Sequence, residues 1–122
     1  MQSPKEVIMV RPAAFGYDPE TASSNVFQHK PLEEDAKNWG AISLSEFDNA
    51  VHMLQGCGVK VTVFHEESSE NHKPDSIFPN NWFSTHDNGL IILYPMMAKS
   101  RRLEKRFDIV KYLQKNFQVW AI

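Results

Sequence analysis

Apolar residues change their spacing several times along the 122 residues, and each change predicts an element. Val7, Ile8, Met9 and Val10 form an unbroken apolar run, which predicts a buried strand. Arg11 and Pro12 end it, because proline brings no amide hydrogen to a ladder. Residues 13–35 carry no periodicity and are punctuated by Gly16, Asp18-Pro19, Ser23-Ser24-Asn25 and Lys30-Pro31, so they read as an irregular connection. A connection that long inside a compact domain is functional or disordered.

The spacing then becomes helical. Leu44, Phe47, Val51 and Leu54 step by three and four, and Ser43-Leu44-Ser45-Glu46 has the spacing of a capping box, which predicts a helix beginning near Ser43. Gly56 and Gly58 stop it. Residues 59–64 alternate valine with other residues and predict a strand, followed by a charged loop over 65–74. Residues 82–86 and 90–94 flank Asp87-Asn88-Gly89 and predict a β-hairpin closed by Pro95. A helix is predicted over 100–115 with Leu103, Phe107, Val110 and Leu113 inward, then a strand over 119–122. The class is α/β (α+β). Strand-helix-strand recurs as hairpin-helix-strand, and such units often need stacked neighbours to bury their faces.

Composition narrows the classes. One domain over 1–122, without linkers, fits the length. A formal charge of −2 gives no reason to expect nucleic acid or an anionic membrane as partner. No apolar run nears the roughly 20 residues that cross a bilayer. Met1 to Glu6 lacks the pattern of a signal peptide, and Cys57 is the sole cysteine, so no internal disulfide forms; a cytoplasmic location is expected. Cys57, set between Gly56 and Gly58 without a nearby base, reads as inert packing. His29, His52, His65, His72 and His86 lack metal-site spacing; His65 and His72 share an acidic loop, but no metal is expected, and each reads as a surface or strand residue. No glycine-rich phosphate loop is present and no cofactor is expected.

The densest chemistry lies at 74–82, where Asp75, Asn80 and Asn81 accompany Phe78 and Trp82. Carboxylate and carboxamide oxygens accept hydrogen bonds from planar N–H arrays, and aromatic faces favour a cationic or planar group above them. Such a cluster suits a flat, nitrogen-rich ligand. Ordinary turn bonding by the same residues, with Trp82 in the core, is the other reading. Arg101 and Arg102 could grip a carboxylate in bidentate fashion, or belong with Lys99, Lys105 and Arg106 to a solvated basic face.

The order Asp75, Ser76, Ile77, Phe78 is similar to the substrate loop of the dimethylarginine dimethylaminohydrolase branch of the amidinotransferase and arginine deiminase superfamily. Asn80 and Asn81 stand where that loop has two acidic residues. The chain resembles still more a bacterial branch of citrulline-utilization hydrolases, or amidinotransferase-like proteins. That resemblance rests on 9–16, Pro19-Glu20-Thr21-Ala22, Asn25-Val26-Phe27-Gln28, 75–82, 93–96 and 100–106, in order along nearly the whole chain.

The resemblance implies a pentein fold, an α/β propeller of ββαβ modules, of which this chain would supply about two as an N-terminal portion. It implies that Asp75 contacts the amino or guanidino nitrogen end of the substrate, that Phe78 belongs to the substrate loop, and that Asn80 and Asn81 line the pocket at the reactive carbon. One of Arg101 and Arg102 would hold the substrate carboxylate. Residues 13–28 match a mobile lid, with Phe15 and Gly16 over the ligand; a fixed loop is the alternative. Amide in place of acid favours a neutral, citrulline-like ureido group over a guanidinium. The family chemistry uses a cysteine nucleophile and a histidine that lie downstream in relatives, so no catalytic residue is expected in this chain. The expected partner is a small ureido or guanidino compound. The expected function is the substrate-binding part of a C–N hydrolase, inactive alone. The alternatives are a non-catalytic piece completed by self-association or by a second half, and an unrelated small α+β enzyme.

Overall fold

A computed structural model describes residues 4–13, 15–30, 32–66 and 73–122, without the side chains of 33–37. The expectations that fall on Met1 to Ser3, Ala14, Pro31 and the 67–72 part of the charged loop, His72 included, lie outside the described residues.

Strand β1 (Glu6–Arg11) carries the expected apolar run and ends before Pro12. The following connection is not wholly irregular. Asp18 and Pro19 start a one-turn helix, α1 (Pro19–Ala22), rather than breaking one. The Asp18 carboxylate accepts from the Glu20 amide at 2.9 Å, and proline suits the first helical position because its missing amide hydrogen would be unpaired there anyway.

Helix α2 (Glu33–Gly56) begins ten residues before the expected start, so there is no capping box at Ser43. The Ser43 hydroxyl donates to the Gly40 carbonyl at 2.9 Å, the back-bonding of a mid-helix serine. Phe47 and Val51 bury the predicted face. The stop is as expected. Gly58 takes φ +82°, Val59 N–H donates to Leu54 O and Gly58 N–H to Gln55 O, both at 3.0 Å, which is a Schellman ending. Cys57 is exposed there, which corrects the expectation of a packed thiol.

Strand β2 (Lys60–His65) pairs parallel with β1, from Glu6↔Lys60 to Arg11↔His65. α2 supplies the crossover that a parallel pair requires. A 3-10 turn (Pro79–Asn81) leads into β3 (Phe83–Thr85), which pairs antiparallel with β4 (Ile91–Leu93) as the predicted hairpin. Gly89 turns at φ +77°, and its bare Cα lets Trp120 and the Gln118 carbonyl approach within the space a Cβ would fill.

The predicted 100–115 helix is two helices, α3 (Lys99–Arg102) and α4 (Phe107–Asn116). The break changes the buried face. Leu103 and Phe107 are exposed, whereas Ile109, Val110 and Leu113 are buried. Arg106 marks the restart; its guanidinium donates to Asp108 at 3.1 and 2.6 Å and to His65 O at 2.9 Å. The predicted strand at 119–122 is only a parallel bridge, Leu90↔Ala121, with Ile91 N–H donating to Ala121 O at 3.0 Å.

Val10 of β1, Trp82 and Phe83, Ile91 of β4, Met96, and Ile109, Val110 and Leu113 of α4 form one core cluster. It fastens the hairpin and α4 to β1 and leaves the 74–81 loop between the two sheets. The result, among the described residues, is a mixed α/β arrangement with two two-stranded sheets.

Candidate functional site

The loop that carries Asp75 is pinned on both sides. Pro74 is fully buried, and Phe78 N–H donates to Asp75 O at 3.1 Å, closing a turn. Ser76 is buried and its hydroxyl donates to Glu66, which also pairs with Lys73 at 3.3 Å. These bonds fix the Asp75 side chain, 14% exposed, at the wall of a cleft of about 340 Å³.

Most of that wall comes from elsewhere. Phe15, Gly16, Tyr17, Phe27, Gln28 and His29 line it from the connection before α2, and Trp39, Ile42, Ser43 and Glu46 line it from the front half of α2. The two expected lid residues, Phe15 and Gly16, therefore share a cleft with Asp75. From the sequence, Trp39 and the second carboxylate, Glu46, carry no expected cleft role, and Tyr17 and Phe27 none of their own within the segment that matches a lid. The helical signal was present around Ile42 but was cut short at Ser43.

Asn80 and Asn81 do not line this cleft. Asn80 lines a separate cleft of about 520 Å³ between β1 and β3. The Asn81 carboxamide oxygen accepts from Arg101 Nη2 at 2.9 Å. Phe78 is 43% exposed and stands off both clefts. The three-residue cradle of Asp75, Asn80 and Asn81 is thus not assembled around one cavity, and the preference for a neutral ureido group drawn from the two asparagines loses its ground.

The arginine pair splits. Arg101 turns inward: Nε donates to Glu104 Oε1 at 3.0 Å, Nη2 to Glu104 Oε2 at 3.0 Å, and Nε lies 3.7 Å from Asp75 Oδ2. Glu104, its side chain 1% exposed, is the buried partner that the reading of a basic helix face overlooked. Arg102 is exposed and donates to the Met96 and Met97 carbonyls, and no carboxylate pairs with it among the described residues.

Helix α1 is tied to the same cluster. Ser100 N–H donates to Glu20 at 2.9 Å and its hydroxyl to buried Asp18 at 3.0 Å. Thr21 Oγ1 donates to Gln28 at 2.8 Å and lies 3.4 Å from Asp75.

Charge follows from this geometry. Burial pushes the Asp75 carboxyl above the usual aspartate value; the Arg101 charge opposes this, the Asp18 carboxylate adds to it, and the Thr21 hydroxyl opposes it. Burial likewise raises Glu104, against the hydrogen bonds and charge of Arg101. Asp75 and Glu104 thus share the guanidinium of Arg101, with the Asp18 carboxylate near enough to act on Asp75, and this excess of acid favours a further positive charge at the cleft. No group of three or more His, Cys, Asp or Glu side chains arranged to hold a metal occurs among the described residues. None of the helices is long and apolar enough to cross a membrane among the described residues.

A family model described as N,N dimethylarginine dimethylhydrolase, eukaryotic, matches residues 11–122. No curated protein and no solved structure matches the chain.

Proposed function

The chain belongs to the N,N dimethylarginine dimethylhydrolase family, and from that premise we propose that it is the substrate-binding portion of a hydrolase acting on the guanidino C–N bond of an arginine-like compound. The observation that carries this reading is the mostly enclosed Asp75 carboxylate opening into a cleft faced by Phe15, Tyr17, Phe27 and Trp39.

A cationic nitrogen group entering there gains a hydrogen-bonded charge pair with Asp75 and the faces of the surrounding rings. Methyl groups on a guanidinium add apolar surface that the same rings cover. A neutral ureido group gains no charge attraction, so citrulline binds more weakly than a methylated arginine. Arg102, exposed and paired with no carboxylate among the described residues, takes the substrate carboxylate, whereas the charge of Arg101 is already matched by Glu104. Phe15 and Gly16 close over the ligand, while α1, held by Ser100, stays in place.

The hairpin, α3, α4 and the segment at Ala121 make one ββαβ module of a propeller, and β1, α2 and β2 belong to another. The parallel Leu90↔Ala121 bridge supports this, because it sets the segment after the helix beside the hairpin. Cys57 does not line the cleft and takes no part in the chemistry. The cysteine and histidine of the family reaction are not assigned to residues of this chain.

Trp39 fluorescence tests the reading, with Trp82 buried and Trp120 replaced by phenylalanine. N,N-dimethylarginine and methylguanidinium should quench Trp39 saturably, citrulline less, and Asp75→Asn should weaken both cations at least tenfold. Absence of saturable binding by any of the three, or cation binding indifferent to Asp75→Asn, would defeat it.

A further inference from the structure

We propose that Glu104 is a positioning residue that holds Arg101 away from Asp75 and so keeps the Asp75 carboxylate available to a cationic ligand. The inference rests on the cation-binding reading of the cleft.

A buried aspartate beside an arginine would ordinarily form a close pair, which would fill the very acceptor sites that a ligand needs. Here the guanidinium is turned elsewhere. Its Nε and Nη2 edge meets both Glu104 oxygens at 3.0 Å, and Nη2 also reaches Asn81 at 2.9 Å. Asp75 is left with Nε at 3.7 Å, beyond hydrogen-bonding distance, and with a hydroxyl at 3.4 Å on Thr21, whose shorter bond at 2.8 Å goes to Gln28. Arg101 therefore acts on Asp75 as a nearby charge, not as a partner. That charge favours ionised Asp75 without occupying its oxygens.

Glu104 is suited to the task by its place. It follows Arg101 by three residues and lies in the break between α3 and α4, and its side chain is almost wholly enclosed. The interruption of the predicted continuous helix is where this carboxylate turns inward. Asp18, Asn81, Thr21 and Gln28 stand beside the Asp75–Arg101 pair, Glu46 shares the cleft wall with Asp75, and the Glu66 carboxylate acts on Glu104 by charge.

The experiment is a mutant cycle on the 122-residue chain, read in two ways: the Asp75 titration midpoint from carboxyl carbon resonances without ligand, and the affinity for methylguanidinium. Glu104→Gln frees Arg101 to pair with Asp75, so the midpoint should fall and affinity should drop about tenfold, the equivalent of one pKa unit. Removing the glutamate charge alone would also lower the midpoint, so the double variant Arg101→Met, Glu104→Gln decides. With no guanidinium to occupy Asp75, affinity should recover to at least the wild-type value. An unchanged affinity in the single variant, or no recovery in the double, overturns the proposal. If Glu104→Gln does not fold, Glu104→Asp, which keeps the charge on a shorter arm, should lose two- to fivefold, and adding Arg101→Met should erase that loss; no loss also overturns it. If the wild-type chain binds no cation, the cleft reading fails, while the ligand-free midpoints still test this one: the fall from wild type to Glu104→Gln must exceed that from Arg101→Met to the double variant.

Discussion

Arg101 faces Glu104 with two 3.0 Å hydrogen bonds and stops 3.7 Å short of Asp75. A difference of less than an ångström separates a consumed carboxylate from one that a ligand can use, because N–H···O hydrogen bonds lie within about 2.7–3.2 Å. The behaviour of the cleft toward charge follows from that spacing.

The first consequence is a pH dependence. Burial raises the folded-state value of Asp75 above 3.8. Its neutral form therefore appears at higher pH than for an exposed aspartate, and methylguanidinium affinity should fall with acidification through that raised midpoint. The sign for ligand-free stability is the opposite: the folded chain binds the Asp75 and Glu104 protons more tightly, so these two groups favour folding as pH drops from their folded values toward their unfolded ones. Titration calorimetry at several pH values checks the first part, and affinity that rises on acidification would contradict it.

A second expectation concerns the far end of the ligand. Arg102→Ala should weaken N,N-dimethylarginine by about 2–3 kcal/mol, as for loss of a charge-assisted hydrogen bond, and leave methylguanidinium, which lacks a carboxylate, unchanged. Equal losses for both ligands would show that Arg102 acts through the fold and not on a carboxylate.

Ser100 fastens α1 to α3, so Ser100→Ala should loosen that helix. The change leaves one oxygen of buried Asp18 without its hydroxyl partner, at about 1–3 kcal/mol. Urea unfolding measures the loss, and faster hydrogen exchange at the Ala22 amide, which donates to Asp18 O, should accompany it. The Glu20 bond to the Ser100 backbone remains, so folding should persist.

Gly89→Ala tests the hairpin and its bridge together. The substitution places a Cβ against Trp120 and the Gln118 carbonyl at a positive φ. A cost of about 1–3 kcal/mol is expected from strain and crowding, with the Ile91 amide losing protection from exchange as the Ala121 contact opens. Unaltered stability would mean that the 117–122 segment moves aside freely.

Local chemistry settled a good part of this protein without help from the fold. The Val7 to Val10 run, the alternation in β2, the glycine stop at Gly58 and the Asp87-Asn88-Gly89 turn all act within a few residues, through backbone freedom and side-chain spacing. The order of Asp75, Ser76, Ile77 and Phe78 pointed to the family for the same reason. What tertiary packing decided was who meets whom. The front half of α2 lacks a continuous apolar stripe and takes its meaning from the cleft it walls through Trp39 and Ile42. The helix at 100–115 breaks where Glu104 turns in to meet Arg101, and this moves the buried face onto Ile109, Val110 and Leu113. Asn80 and Asn81, neighbours in the chain, face different surroundings, because a 3-10 turn sends successive side chains in different directions. Pairings between distant residues depend on how the pieces stack, and spacing along a chain carries no record of that.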